Sequence, residues 1–325
     1  MFPPTDPLYP YFSILSFFSF LLPLIPLTWH LQAWNSASCF YMAWTSIMGL
    51  INFVNSIVWA GNVLDVAPVW CDISTRISLA GTYALPLGSM CIVRRLYLIA
   101  SAKTALTRIE RRRALIFDTI VCLIVPLVLS ALRYIVQGRR YIIYQEIGCI
   151  DYTYRSAAAL ILINLPPIAS GLVSAYYDVR CLTALFRHYQ ELKDSFDSAN
   201  ADEEFTSDRF IPIVLFTVLE MISVTPIAIS ALAFNFSMGL QPWISWEHVH
   251  ASFAIIPVSP SDVWRSSPLR ASSLEMRRWV TSGCGVVIFL FFGTTKEARK
   301  HYSVAFFRLR CLLGRDVPTS TSNER

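Results

Sequence analysis

Apolar residues in this chain fall into long runs, not the short alternations of a soluble core. A helix crosses a bilayer with about 20 predominantly apolar residues. Seven runs reach that length: Leu8–Trp29, Cys39–Val63, Ile73–Val93, Leu115–Tyr134, Ala157–Tyr177, Phe210–Phe234 and Leu274–Thr294. The pattern predicts an all-α membrane protein, a seven-transmembrane helix bundle over residues 1–295, with a short tail over 296–325. The first run lacks the basic start and small-residue cleavage site of a signal peptide, so it reads as a helix kinked at Pro23 and Pro26. No internal repeat is visible.

Composition agrees. The chain is 54% hydrophobic and 15% charged, against about 25% charged in soluble domains. A single soluble core cannot hide that much apolar surface. Charge placement then orients the bundle. With the N-terminus outside, the segments between runs that face inward hold 18 of the 27 basic residues: seven in the second inner loop, four in the third, seven in the tail. All four lysines (Lys103, Lys193, Lys296, Lys300) fall inside. The expected topology is N-terminus out, C-terminus cytoplasmic, in the plasma membrane.

Of eight cysteines, only Cys71 and Cys149 fall on the expected outside. An oxidising compartment favours a bridge between them; two unrelated thiols are the alternative. The sequon at Asn235 is too close to a helix end to expect glycosylation.

Several polar residues interrupt the apolar runs. Asn52, Asn55, Trp59 and Asn62 are spaced to share one helical face. Asn52 and Asn55 read as interhelical glue, and Asn62 as a candidate ligand contact. Asp72 and Arg76, four apart, are spaced to pair at the outer mouth or to meet a ligand. In the third outer loop Trp243, Trp246 and Trp264 read as interface anchors or ligand contacts, beside His248 and His250. Two histidines and Glu247 make a weak zinc set, and no metal or other cofactor is expected. Arg94, Arg95, Arg108, Arg111, Arg112 and Arg113 form a basic inner surface for membrane lipids or a cytosolic partner. Glu220, buried in the sixth run ahead of Pro226, and Asn164 beside Pro166 and Pro167 in the fifth, are candidate switch elements. Alternatively, Glu220 is a protonated, hydrogen-bonded group with no switching role. The tail reads as an amphipathic helix on the inner leaflet, with Cys311 a candidate for lipidation.

Together, "NSIVWAGNVLDVAPVWCDISTRI", "CIVRRLYLIAS", "GCIDY", "LPPI", "SWEHVH", "VWRSSP" and "FFGTTKEARKHY" resemble the fungal mating-pheromone receptors of the a-factor receptor type, class D of the G-protein-coupled receptors. They run in order from Asn55 to Tyr302. The resemblance implies a receptor for a secreted farnesylated peptide pheromone. It also implies coupling to a heterotrimeric G protein α subunit and, through it, to the mating response. A second copy of the chain is an open partner; nucleic acid is not expected, nor is enzymatic activity.

The alternatives are a seven-helix transporter or an orphan small-lipid sensor. A transporter would show a repeat and paired midplane charges, and only Glu220 lies there. An opsin needs a lysine in the middle of the seventh run, but Lys296 lies at its inner end. A zinc-dependent membrane hydrolase needs several histidines at the membrane, and only His30 is near a helix. An intramembrane aspartyl protease needs two facing aspartates, and Asp118 has no second.

Overall fold

A computed structural model describes residues 6, 8–101, 107–195, 215 and 239–312. Among them, five helices are long and apolar enough to cross a membrane, or six if one bent pair forms a single span. The first span is broken at Leu22–Pro23 into α1 (Tyr11–Leu21) and α2 (Leu24–Gln32). α3 is Ser36–Val58 and α4 is Pro68–Ser101. The fourth span joins α5 (Arg108–Thr119), a π-helical turn (Ile120–Ile124), α6 (Val125–Leu132) and a 3-10 turn (Arg133–Val136). α7 is Ala157–Ser195. Two short helices follow, α8 (Trp246–His250) and α9 (Ser261–Arg265), then α10 (Pro268–Gly293) and α11 (Lys296–Leu312). The expected sixth helix, with Glu220 and Pro226, lies outside the described residues.

A small sheet closes one end of the bundle, called here the hairpin end. Strands β1 (Arg139–Tyr144) and β2 (Gly148–Tyr152) form an antiparallel hairpin, and β3 (Val258–Ser259) pairs with β1 in parallel. Gly148 has φ +88°, and a Cβ there would lie 2.8 Å from Asn55 and 2.9 Å from Trp59. Glycine therefore lets the hairpin turn press onto the top of α3. The opposite, tail end carries α11, bent about 80° from α10.

Helices without a hydrophobic drive to associate in lipid use small residues to come close. α1 does this with Ser13, Ser16 and Ser19, all buried. Ser16 bonds Ser282 at 3.1 Å and Ser56 donates to Ser13 at 2.9 Å. A Cβ on Gly285 would stand 2.2 Å from Ser19 Oγ, and one on Gly49 would stand 2.6 Å from the Phe20 backbone nitrogen.

Proline supplies a second kind of seam. Pro126 has no N–H to offer the carbonyl four residues back, that of Cys122. The π-helical turn lies there, and the indole of Trp44 donates to the Cys122 carbonyl at 2.9 Å. Pro166 likewise frees the Leu162 carbonyl, and the Tyr83 hydroxyl donates to it at 3.0 Å. One such bond is worth about 1 kcal/mol net, and leaving a buried carbonyl unpaired costs about 1–3 kcal/mol.

The second-run reading of four residues on one helical face needs correcting. α3 stops at Val58, and Gly61 takes a left-handed φ of +69°. Asn55 and Asn52 stay on the helix and bond Trp70 (2.8 Å) and Ser282 (3.0 Å). Asn62 instead folds back on the helix end, donating to the Val58 carbonyl at 2.9 Å and accepting from the Leu64 N–H at 3.2 Å.

The glycine contacts give a paired test. Gly285→Val drives a branched side chain into Ser19, an overpacking of roughly 1–3 kcal/mol. The detergent-purified protein should lose several degrees of thermal midpoint. Gly283→Val, with nothing within 4 Å of its Cβ position, should leave the midpoint within a degree or so. Equal losses for both variants would sink the close-approach account.

Candidate functional site

At the hairpin end, Cys71 in the first turn of α4 and Cys149 in β2 come to disulfide distance, with Cα atoms 5.4 Å apart. They sit in a buried apolar cluster with Trp59, Tyr141 and Ile143. The hairpin is therefore tied to the mouth of the bundle by packing as well as by sulfur.

Charge organises the rest of this end. Asp151, on β2, is buried between two arginines. Arg133 Nη2 donates to Oδ2 at 2.5 Å, and Arg277 of α10 reaches Oδ1 at 3.3 Å. Burial alone would raise the Asp151 pKa, but the two guanidinium groups outweigh it and hold the carboxyl below its ordinary range. Arg133 also donates to Thr153 at 2.5 Å. One carboxylate thus joins the end of the fourth span, the hairpin and α10.

A second knot holds the chain's N-terminal side. Asp6 accepts from Arg278 at 2.6 Å and lies 3.5 Å from Arg265. Arg278 donates to Glu275 at 2.6 Å and to the Glu146 carbonyl at 3.3 Å, and stacks on Phe12 at 4.5 Å. Burial opposes ionisation of Asp6, yet the bonds from Arg278 and the Leu8 N–H hold its pKa down. Tyr141 donates to Asp65 at 3.0 Å; burial and that neighbour push its pKa up to about 12.

Asp72 and Arg76 do not pair with each other, contrary to their spacing. Asp72 is held by Arg140 of β1, which grips both carboxylate oxygens. The hairpin offers a two-pronged partner that the helix neighbour cannot match. Arg76 lies over the Tyr134 ring at 5.3 Å instead. It lines a small cavity with Thr75, Leu79, Arg133, Gln137, Asp151, Tyr152 and Thr153.

The three tryptophans separate. Trp264 is no surface anchor: it is fully buried and donates to the Gln145 carbonyl at 3.2 Å. Its indole closes β3 and α9 over the hairpin turn. Trp243 and Trp246 are exposed, and Trp246 stacks on His250 at 4.1 Å. His250 has its two ring nitrogens 2.9 Å and 3.1 Å from the carbonyls of Trp246 and Tyr134. His248 lies edge-on to Tyr154. Among the described residues no metal-binding group of three side chains exists.

At the tail end, Thr107 and Glu110 form a capping box that starts α5. The helix then carries Arg108, Arg111, Arg112 and Arg113, all exposed. Arg94 and Arg95 behave differently. Arg94 lies over the Phe117 ring at 4.0 Å. Arg95 turns inward, 3.7 Å from the buried Asp118, and donates to Ser36 (3.2 Å) and the Trp34 carbonyl (2.7 Å). Ser36 also donates to Asp118 at 2.5 Å. From sequence Asp118 reads only as an aspartate without a second, because its partner Arg95 is on another helix. In α7, Asn164 is buried and its Nδ2 has no partner among the described residues. The side chain of Cys311 lies outside the described residues.

Residues 11–311 match the model of the family described as pheromone A receptor. The chain belongs to the pheromone A receptor family. Among its relatives is the pheromone B alpha 3 receptor of Schizophyllum commune, 37% identical over 303 residues, covering 93% of this chain and 48% of the relative. Pheromone receptor 1 of Mycosarcoma maydis is 30% identical, covering 97% of this chain and 88% of that one. The chain thus spans about half the length of the first Schizophyllum relatives it matches. Squid rhodopsin superposes with a TM-score of 0.65 at 12% identity over 97% of this chain. That likeness shows the fold alone, the seven-helix bundle of that rhodopsin. Membership of this family, whose members are named as receptors, does not favour the transporter alternative.

Asp151 offers a measurable pH signature in this family member. Its depressed pKa means its ion pairs contribute in full above the ordinary carboxylate range and are lost as pH falls through the lowered value. The thermal midpoint should hold from pH 7 to about 5 and drop below about 4. Asp151→Asn should cost about 3 kcal/mol at pH 7 by leaving the buried Arg133 and the half-buried Arg277 unmatched, and should flatten the acid limb. A variant with the wild-type acid profile would show that Asp151 carries no such linkage.

Proposed function

We propose that this chain is the membrane-embedded part of a plasma-membrane receptor for a secreted, farnesylated peptide pheromone. The hairpin end faces outward and receives the peptide; the tail end meets the α subunit of a heterotrimeric G protein. The observation that carries the reading is the family match across residues 11–311. The basic-residue bias of the sequence supports the orientation. The exposed Trp243 and Trp246 suit a lipidated peptide arriving from the outer leaflet.

The tail-end geometry sharpens the choice of coupling residues. Arg108, Arg111, Arg112 and Arg113 are exposed and available to an acidic protein surface or anionic lipid. Arg95 supports the helix packing through Asp118 and serves the coupling surface indirectly.

A reporter strain lacking its own receptor tests the main reading. Cells displaying this chain are challenged with synthetic peptides, each with and without a farnesyl group. At least one prenylated peptide should activate the reporter, with its unprenylated twin at least tenfold weaker. Silence toward every prenylated peptide would falsify the reading. In the same cells, Arg112→Glu with Arg113→Glu should keep surface staining and lower the maximal signal several-fold. Arg95→Glu, placing two acids together at a buried site, should lose surface protein. Full signalling by both would reject this division of labour.

A further inference from the structure

We propose that the hairpin-end cavity beside Arg76 is a subsite for an acidic residue of the peptide ligand: Arg76 takes the carboxylate and Gln137 Oε1 takes a neighbouring backbone N–H. This rests on the reading that a peptide enters from the hairpin end.

The charges around the cavity are already committed, except one. Both oxygens of Asp72 are held by Arg140. Asp151 is shared between Arg133 on one oxygen and Arg277 on the other. Arg76 forms no ion pair and its guanidinium no hydrogen bond among the described residues; its recorded contact is the Tyr134 ring. The cavity wall therefore sets Arg76 and Arg133 against Asp151 alone. A half-buried cation whose nearest carboxylates, Asp151 and Asp72, are already bonded to other arginines is poorly compensated where the dielectric is low. An arriving carboxylate removes that cost and can accept two parallel bonds from the guanidinium fork. A lipid-modified but uncharged peptide would leave it standing.

Gln137 adds the second element. It is 4% exposed, and its Nε2 donates to the Arg140 carbonyl at 2.7 Å. That bond settles which way the amide faces, since a carbonyl accepts only from the NH₂ side. Oε1 is then a buried acceptor with no partner. A carboxylate avoids such an oxygen; an N–H seeks it. The two threonine hydroxyls on the wall are already engaged: Thr75 donates to the Cys71 carbonyl at 2.6 Å, and Thr153 accepts from Arg133 at 2.5 Å. An acidic residue in a peptide carries both required groups, a carboxylate and an adjacent N–H.

The test uses the reporter cells and pairs of synthetic farnesylated peptides differing only by Glu→Gln or Asp→Asn. In the wild type, one acid-to-amide exchange should raise the half-maximal concentration at least about tenfold, a cost of about 1.4 kcal/mol. In Arg76→Gln the same exchange should matter less than about threefold, because the two changes are coupled. Arg76→Glu should prefer the analogue with Lys at that position, a rescue that also reports folding. Wild-type cells that respond to peptides yet ignore every acid-to-amide exchange overturn the subsite alone. An equal cost in the wild type and Arg76→Gln does the same. The ligand series in the wild type decides the matter even if a variant fails to reach the surface. Silence of the wild type to all peptides would reject the pheromone reading itself.

Discussion

The hairpin end depends on one buried carboxylate held by two arginines. Asp151 belongs to the hairpin strand β2, Arg133 to the end of the fourth span and Arg277 to α10. Each element alone would expose or strand a charge. Together they satisfy it, and the hairpin is fixed over the bundle as a consequence. The sulfur link from Cys149 to Cys71 lies two residues from Asp151, so the same strand is fastened to α4 as well. A buried carboxylate with one partner removed costs several kcal/mol. The arrangement is therefore demanding, and it allows few positions for the hairpin.

The membrane part solves a different problem by different means. Its prolines break the backbone ladder at Cys122 and Leu162, where no water exists to replace the lost bond. Trp44 and Tyr83 supply the missing donors from neighbouring helices. What would be a defect in an isolated helix becomes a polar contact between two. Serines and glycines along α1, α3 and α10 bring backbones close enough for dispersion to act. The bundle is thus joined by small residues on one side and by proline-freed carbonyls on the other.

The helices were legible because hydropathy is a local property of the chain. Five of the expected spans are long apolar helices in the structure, and the Cys71–Cys149 proximity followed from topology alone. Helix ends were less legible. The second run was carried through to Val63, but Gly61 has no Cβ to resist a left-handed turn and α3 ends at Val58. Ion pairs were the least legible. Asp72 has Arg76 one turn away in sequence, yet its partner Arg140 is 68 residues on. Trp264 reads as a surface anchor because its loop is polar; α9, which carries it, folds onto the hairpin turn and buries the indole against Gln145, a long-range event no local pattern records. Asp118 shows no partner in the sequence for the same reason: Arg95 reaches it from another helix.

One compositional oddity now has a physical account. Nine basic residues belong to the hairpin-end segments, and all nine are arginine; the four lysines lie in segments assigned to the other side. Positive-inside statistics count the two residues alike. The chemistry does not. Burial strips an ammonium of its charge readily, whereas a guanidinium stays charged and offers a planar fork of donors. Arg140 uses that fork on Asp72, and Arg278 divides its nitrogens among Asp6, Glu275 and the Glu146 carbonyl. Arg139 and Arg265 use the flat face on Tyr152 and Trp264. A lysine has three donors but no planar fork to grip both oxygens of one carboxylate and no flat face for a ring, and it would surrender its charge in the buried contacts. The exclusion of lysine from this end is therefore what a half-buried, multiply bonded charge network requires, and Arg76 is the arginine on the cavity wall whose fork forms no ion pair among the described residues.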